Sequence, residues 1–136
     1  MTSSPSRDTA AKPASAWKVF DLDSLRKHVE GSEPRIHEFL RSAAMSCAIY
    51  RLPAGARDMQ APHLEDEVYL VLEGKARLHL GDQVEEVGPG MVLFVGATTE
   101  HSFFDIQEDL TLLAIFGPAP GTLQRRGAGP SPGSRA

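Results

Sequence analysis

From Ile36 onward the chain alternates inward and outward positions with a period of two. Ile36, Glu38 and Leu40 stand against His37 and Phe39, followed by AMSCAIYRL, EVYLVLEG, KARLHL, MVLFV, HSFFDI and LTLLAIF. A period of two is that of an extended strand, whose successive side chains point to opposite faces. Turn signals punctuate these runs at Pro53-Ala54-Gly55, Glu73-Gly74, Gly81-Asp82, Gly88-Pro89-Gly90 and Glu108-Asp109. Many short strands at about ten-residue spacing, with no helical period between them, specify an all-β antiparallel sandwich or barrel.

The segment before Ile36 reads differently. Trp17-Lys18-Val19-Phe20 alternates like a short strand, and Asp23 or Ser24 can cap a short helix carrying Leu25, His28 and Val29, stopped by Gly31. Residues 1–16 are rich in Ser, Ala, Thr and Pro and too poor in apolar residues to offset the entropy of ordering. The same holds for 119–136, so one folded domain is expected over 17–118 between two disordered tails. At 136 residues there is room for a single core. The formal charge of -4 gives no general attraction to nucleic acid or anionic lipid. One cysteine, Cys47, excludes an intramolecular disulfide or a cysteine-based zinc site. No run is apolar and long enough for a signal peptide or a membrane span, and a cytoplasmic protein is expected.

The chemistry-bearing residues cluster in the middle of the chain. His63 and Glu67 lie four apart, on one face of an extended strand, and form a candidate chelate. His101, opening the run HSFFDI after the small-residue loop VGATTE, is a candidate third donor. Tyr69 and Val71 share parity with Glu67 and should line the interior, where Tyr69 can offer a hydroxyl to substrate. Phe103 shares parity with His101. Cys47 reads as a small buried hydrophobe, and His79 should face outward with Lys75 and Arg77. Glu65-Asp66 reads as a solvated strand entrance and Glu85-Glu86 as a charge pair flanking a turn.

These residues fall into two recognisable patterns. Residues 55–74 give Gly55, five residues, Ala61-Pro62-His63, three residues, Glu67, six residues and Gly74. Residues 90–105 give Gly90, five residues, Gly96-Ala97-Thr98, two residues, His101, three residues and Asp105. The first resembles motif 1 of the cupin superfamily, with Ala61 where the first His belongs. The second resembles motif 2, with Gly96 for Pro, Thr98 for Gly and Asp105 for Asn. Fifteen residues separate Gly74 from Gly90, the short spacing of small single-domain bacterial cupins.

The resemblance implies an antiparallel double-stranded β-helix, the jelly-roll or cupin barrel, here with a short N-terminal helix. It places His63, Glu67 and His101 on three of the family's four ligand positions for one divalent metal ion. Two imidazoles and a carboxylate suit iron(II) best, and zinc, manganese or nickel are alternatives. Gln60 would reach the metal side if Pro62 marks a bulge. The implied function is a metal-dependent enzyme acting on a small organic molecule in the barrel, most specifically an iron(II)-dependent dioxygenase-like activity. The alternatives are an isomerase or lyase on the same site, or a non-catalytic small-ligand-binding protein. A homodimer is implied, with segment 17–41 on the sheet edge or on the partner subunit.

Overall fold

The structure, a computed structural model, describes residues 16–58 and 64–117. The expectations for the two tails, and those for Gln60, Ala61 and His63, lie outside the described residues. The chain begins with a short helix, α1 (Leu22–Lys27), followed by β1 (Arg35–Arg41), β2 (Ser46–Leu52), β3 (Glu67–Leu80), β4 (Gln83–Val87), β5 (Val92–Val95) and β6 (His101–Phe116). Among the described residues no helix is long and apolar enough to cross a membrane.

Asp21, rather than Asp23 or Ser24, caps α1. Its Oδ2 accepts the Ser24 amide at 3.0 Å, and Asp23 in the first turn with Arg26 and Lys27 in the last complement the helix dipole. Six residues cannot sustain a helix alone. Burial of Leu25 and Val29 against Ile49, with Phe39 and Leu72 packed alongside, holds it on the sheet.

The strands pair antiparallel in the order β1-β2-β6-β3-β4, with β5 also on β3. β3 and β6 are the long elements, and each serves both halves of the barrel. The first part of β3 pairs with β5 and with the end of β6, as in Glu67 with Val95 and Phe116. Its second part pairs with β4 and with the start of β6, as in Leu80 with His101. Between these parts the β3–β6 register shifts three times, from Val71 to Arg77. Gly74 sits in this bend at φ +105°, where a Cβ would lie 2.3 Å from the Asp109 carbonyl oxygen. Only glycine permits that approach.

The bend folds the two halves over one core. Tyr69, Phe103, Leu78, Leu110 and Leu112 are fully buried there, each contributing about 1.5–3 kcal/mol by burial. The result is the all-β double-stranded β-helix that the strand pattern and the motifs imply.

Several local expectations are corrected. Trp17–Phe20 is not a strand: its alternation has no ladder to join. The turn signals at Glu73-Gly74 and Glu108-Asp109 are bends within continuous strands. Glu85 and Glu86 belong to β4, where Glu86 lies 3.7 Å from Arg77.

Candidate functional site

Glu67 opens β3 and His101 opens β6, in opposite halves of the barrel, and closure of the two halves brings their side chains together. His101 Nε2 lies 3.3 Å from Glu67 Oε1, and both side chains are 1% exposed. The approach to His101 is held by Asp66, whose Oδ1 accepts the Ala97 amide at 2.8 Å and whose carbonyl accepts the Gly117 amide at 2.8 Å. Asp66 is thus an anchor for the loop before β6 and not part of a solvated entrance. That loop turns at Thr98, which has φ +64° where the motif calls for glycine. Asp105, at φ +49°, takes the left-handed conformation at the position where the motif has Asn, and Asp tolerates it.

The orientation of the imidazole is fixed. Nδ1 lies 2.9 Å from the Thr99 carbonyl oxygen, which can only accept, so Nδ1 carries the proton and donates. In the neutral ring Nε2 therefore presents its lone pair toward the Glu67 carboxylate. Two acceptors facing each other across 3.3 Å fit a proton or a cation between them. The backbone carbonyl on Nδ1 is the usual outer support of a metal-binding histidine.

Electrostatics agree with that arrangement. Burial opposes charge on His101 more than any other single effect. The hydrogen bond to Glu67, the Thr99 carbonyl, and the charges of Glu67 and Asp58 together outweigh it, and the imidazole pKa is raised. The site therefore attracts positive charge, whether a proton or a metal ion.

Tyr69 is fully buried beside the pair. Its ring centroid is 6.1 Å from that of His101 and 5.1 Å from that of Phe103, both edge-on, so the inward parity read for Tyr69, Val71 and Phe103 holds. His79 faces outward as expected, stacked on Phe104. Cys47 is buried, and burial pushes its thiol pKa up, as befits an inert side chain. Among the described residues no three His, Cys, Asp or Glu side chains form a group that could hold a metal, and His63 lies outside the described residues.

Two residues of the site are missed by sequence reasoning. Tyr50, on β2, donates its hydroxyl to Asp58 Oδ1 at 2.8 Å, and Asp58 Oδ2 accepts the Phe103 amide at 2.9 Å. Burial, reinforced by the charge and hydrogen bond of Asp58 and by the charge of Glu67, drives the Tyr50 pKa far up, so the phenol stays protonated. Parity gives no signal for Tyr50: it alternates with Cys47, which itself reads as buried, and in the structure both faces of β2 are buried. Asp58 lies in the motif's five-residue spacer, which specifies no residue type.

Comparison with known proteins decides the family. Residues 48–116, just over half the chain, match the profile of the Cupin_2 family, the cupin domain. An uncharacterized protein of Streptomyces coelicolor, SCO3923, is 40% identical over 101 residues, covering 74% of this chain and 96% of that protein. The chain belongs to the cupin family. Among solved cupin-like structures, TT1209 from Thermus thermophilus superposes with a TM-score of 0.65 at 24% identity, covering 76% of this cupin and all of that chain. The DMSP lyase DddQ from Ruegeria pomeroyi superposes with a TM-score of 0.60 at 18% identity over 66% of this cupin. This cupin spans 49% of that lyase, about half its length, and the likeness at that identity is one of fold.

Proposed function

We infer that this cupin is a divalent-metal-dependent enzyme acting on a small organic molecule in the barrel, with His63, Glu67 and His101 as the protein ligands. The observation that carries the reading is the buried His101–Glu67 pair, oriented so that a lone pair and a carboxylate face one point. When bound, the ion would supply Lewis acidity or, as iron(II), oxygen activation. Iron(II)-dependent dioxygenase-like chemistry is the most specific form of this reading, because two imidazoles and one carboxylate are the iron(II) set with open positions.

The chain's own residues would prepare the site. Thr99 holds the ring of His101, and Tyr69 and Phe103 give an apolar wall that limits water. Tyr50 keeps its proton on the Asp58 side, which leaves its oxygen free to accept a hydrogen bond from a substrate donor. A protonated phenol paired with a carboxylate is also an acid–base couple. That favours, as second reading, a lyase or isomerase on the same metal site, in keeping with the presence of a lyase among the structural neighbours.

The test is metal analysis of protein purified without added metal, followed by assays with small organic acids and alcohols. The iron(II)-loaded protein should consume oxygen with substrate. Turnover that proceeds under anaerobic conditions would select the lyase or isomerase reading, and absence of any bound divalent metal would refute both.

A further inference from the structure

The fixed charges that face the barrel interior are of one sign. Among the described residues the buried polar and charged side chains are Ser46, Glu67, His101 and Thr111, so none is a lysine or arginine. The half-buried guanidiniums are paired on the outside: Arg26 lies 3.6 Å from Glu73, Arg51 2.7 Å from Asp109, and Arg77 3.7 Å from Glu86 and 3.6 Å from Asp105. The other described lysines and arginines are exposed, and residues 59–63 contain neither type. Against this stand two carboxylates, Glu67 beside His101 and Asp58 beside Tyr50.

Tyr50 joins these groups. Its side chain packs in the core with Tyr69, Val71, Phe103 and Leu112, and its proton is committed to Asp58 Oδ1 at 2.8 Å. The charge of Glu67 acts on the Tyr50 hydroxyl and that of Asp58 acts on His101, so the four groups share one interior. A phenol whose single proton is already given away presents only acceptor lone pairs to anything else. Asp58 is kept in that role from its other side, because its Oδ2 accepts the Phe103 amide at 2.9 Å.

We propose that the barrel takes an uncharged hydroxyl compound, an alcohol or phenol whose O–H donates to Tyr50 Oη, and turns carboxylates away. The proposal rests on the reading of the barrel as the substrate site and names the substrate class of that site. With a divalent ion in place, Glu67 and Asp58 already match its charge, and an entering anion would find no guanidinium or ammonium to pair with. Without the ion the interior is negative, and the discrimination against anions is stronger. A carboxylate also carries only acceptors, which would face the lone pairs of Tyr50, whereas an alcohol satisfies its own donor and the phenol oxygen together.

Saturation-transfer NMR on the full chain at about pH 7.5, where carboxylic acids are ionised, tests this on matched pairs: glycerol and glycerate, benzyl alcohol and benzoate, glucose and glucuronate. Each pair is measured on zinc-treated protein of known metal content and on metal-stripped protein. At least one alcohol should bind the wild type at least ~10-fold more tightly than its carboxylate partner in both forms. Tyr50→Phe should weaken that alcohol by about 10-fold and leave the carboxylate unchanged. In Asp58→Asn the amide oxygen must take the Phe103 N–H, so the amide nitrogen donates to Tyr50 and the phenol proton turns into the barrel. The carboxylate should then gain, and the preference for the alcohol should fall by about 10-fold or more. If Tyr50→Phe misfolds, Asp58→Asn decides alone. No binding by any of the three alcohols, a carboxylate that binds the wild type as tightly as its alcohol, or a preference unchanged in the folded variants would overturn the proposal. Protein that takes up no zinc yet prefers the alcohols would refute the metal reading and support this one.

Discussion

Asp58 binds Tyr50 and the start of β6 at once: Oδ1 accepts the Tyr50 hydroxyl at 2.8 Å while Oδ2 accepts the Phe103 amide at 2.9 Å. One carboxylate therefore ties the segment after Gly55 to both β2 and the strand that carries His101. The Gly55 amide bonds the Ile106 carbonyl at 2.9 Å, and Asp109 Oδ1 accepts the Ala54 amide at 2.8 Å, so residues 54–58 are anchored to β6.

Removing the two partners should therefore cost unequal amounts. Tyr50→Phe loses one hydrogen bond to a charged acceptor, about 1.5–3 kcal/mol at most. Asp58→Ala strands both the hydroxyl and the Phe103 amide and should cost more. Thermal unfolding should show Asp58→Ala melting below Tyr50→Phe, each by several degrees relative to wild type. Equal melting temperatures would mean that the Phe103 amide finds another acceptor.

Backbone conformation yields a pair of opposite expectations. Thr98 is β-branched and held at φ +64°, a conformation costing about 1–2 kcal/mol for an L-residue. Thr98→Gly relieves that cost, loses about half of it to the greater freedom of the unfolded chain, and should stabilise by roughly 0.5–1 kcal/mol. Gly74→Ala should destabilise strongly, because the new Cβ meets backbone at Asp109 and Leu110. Melting curves of the two variants decide both.

The raised pKa of His101 predicts a sign for the pH dependence of the metal-free protein. Its contribution to stability is fully present below the unfolded value near 6.5 and is lost as pH rises through the folded value. The chelator-treated protein should melt progressively higher as pH falls through the folded value toward 6.5, and His101→Gln should flatten that trend. Proton and metal compete for Nε2, so the stabilisation added by metal should shrink over the same interval. A slope unchanged in His101→Gln would assign the pH dependence to other groups.

Much of this was legible in the chain. Period-two alternation marked β1, β2 and β5 and both parts of β3 and β6, and motif spacing singled out Glu67 and His101, which the fold brings to 3.3 Å. The continuity of β3 was not legible, because a glycine in a turn and a glycine at a strand bend read alike until the crossing strand is known. β4 was hidden by Glu85 and Glu86, which an edge strand facing water tolerates. Trp17–Phe20 alternates without a ladder, and its exposed side chains make sense only as a surface feature. Asp58 carries no periodic signal; its importance comes from two long-range contacts that spacing does not encode.

The central claim, a divalent metal held by His63, Glu67 and His101, is tested most directly by titrating zinc and, under anaerobic conditions, iron(II) into the metal-stripped full chain by calorimetry. The account predicts one equivalent per chain for the wild type, with affinity lowered at least ~100-fold in His101→Ala, Glu67→Gln and His63→Ala, each of which removes or weakens a donor. Binding of equal strength in His101→Ala, or no binding to the wild type, would contradict it.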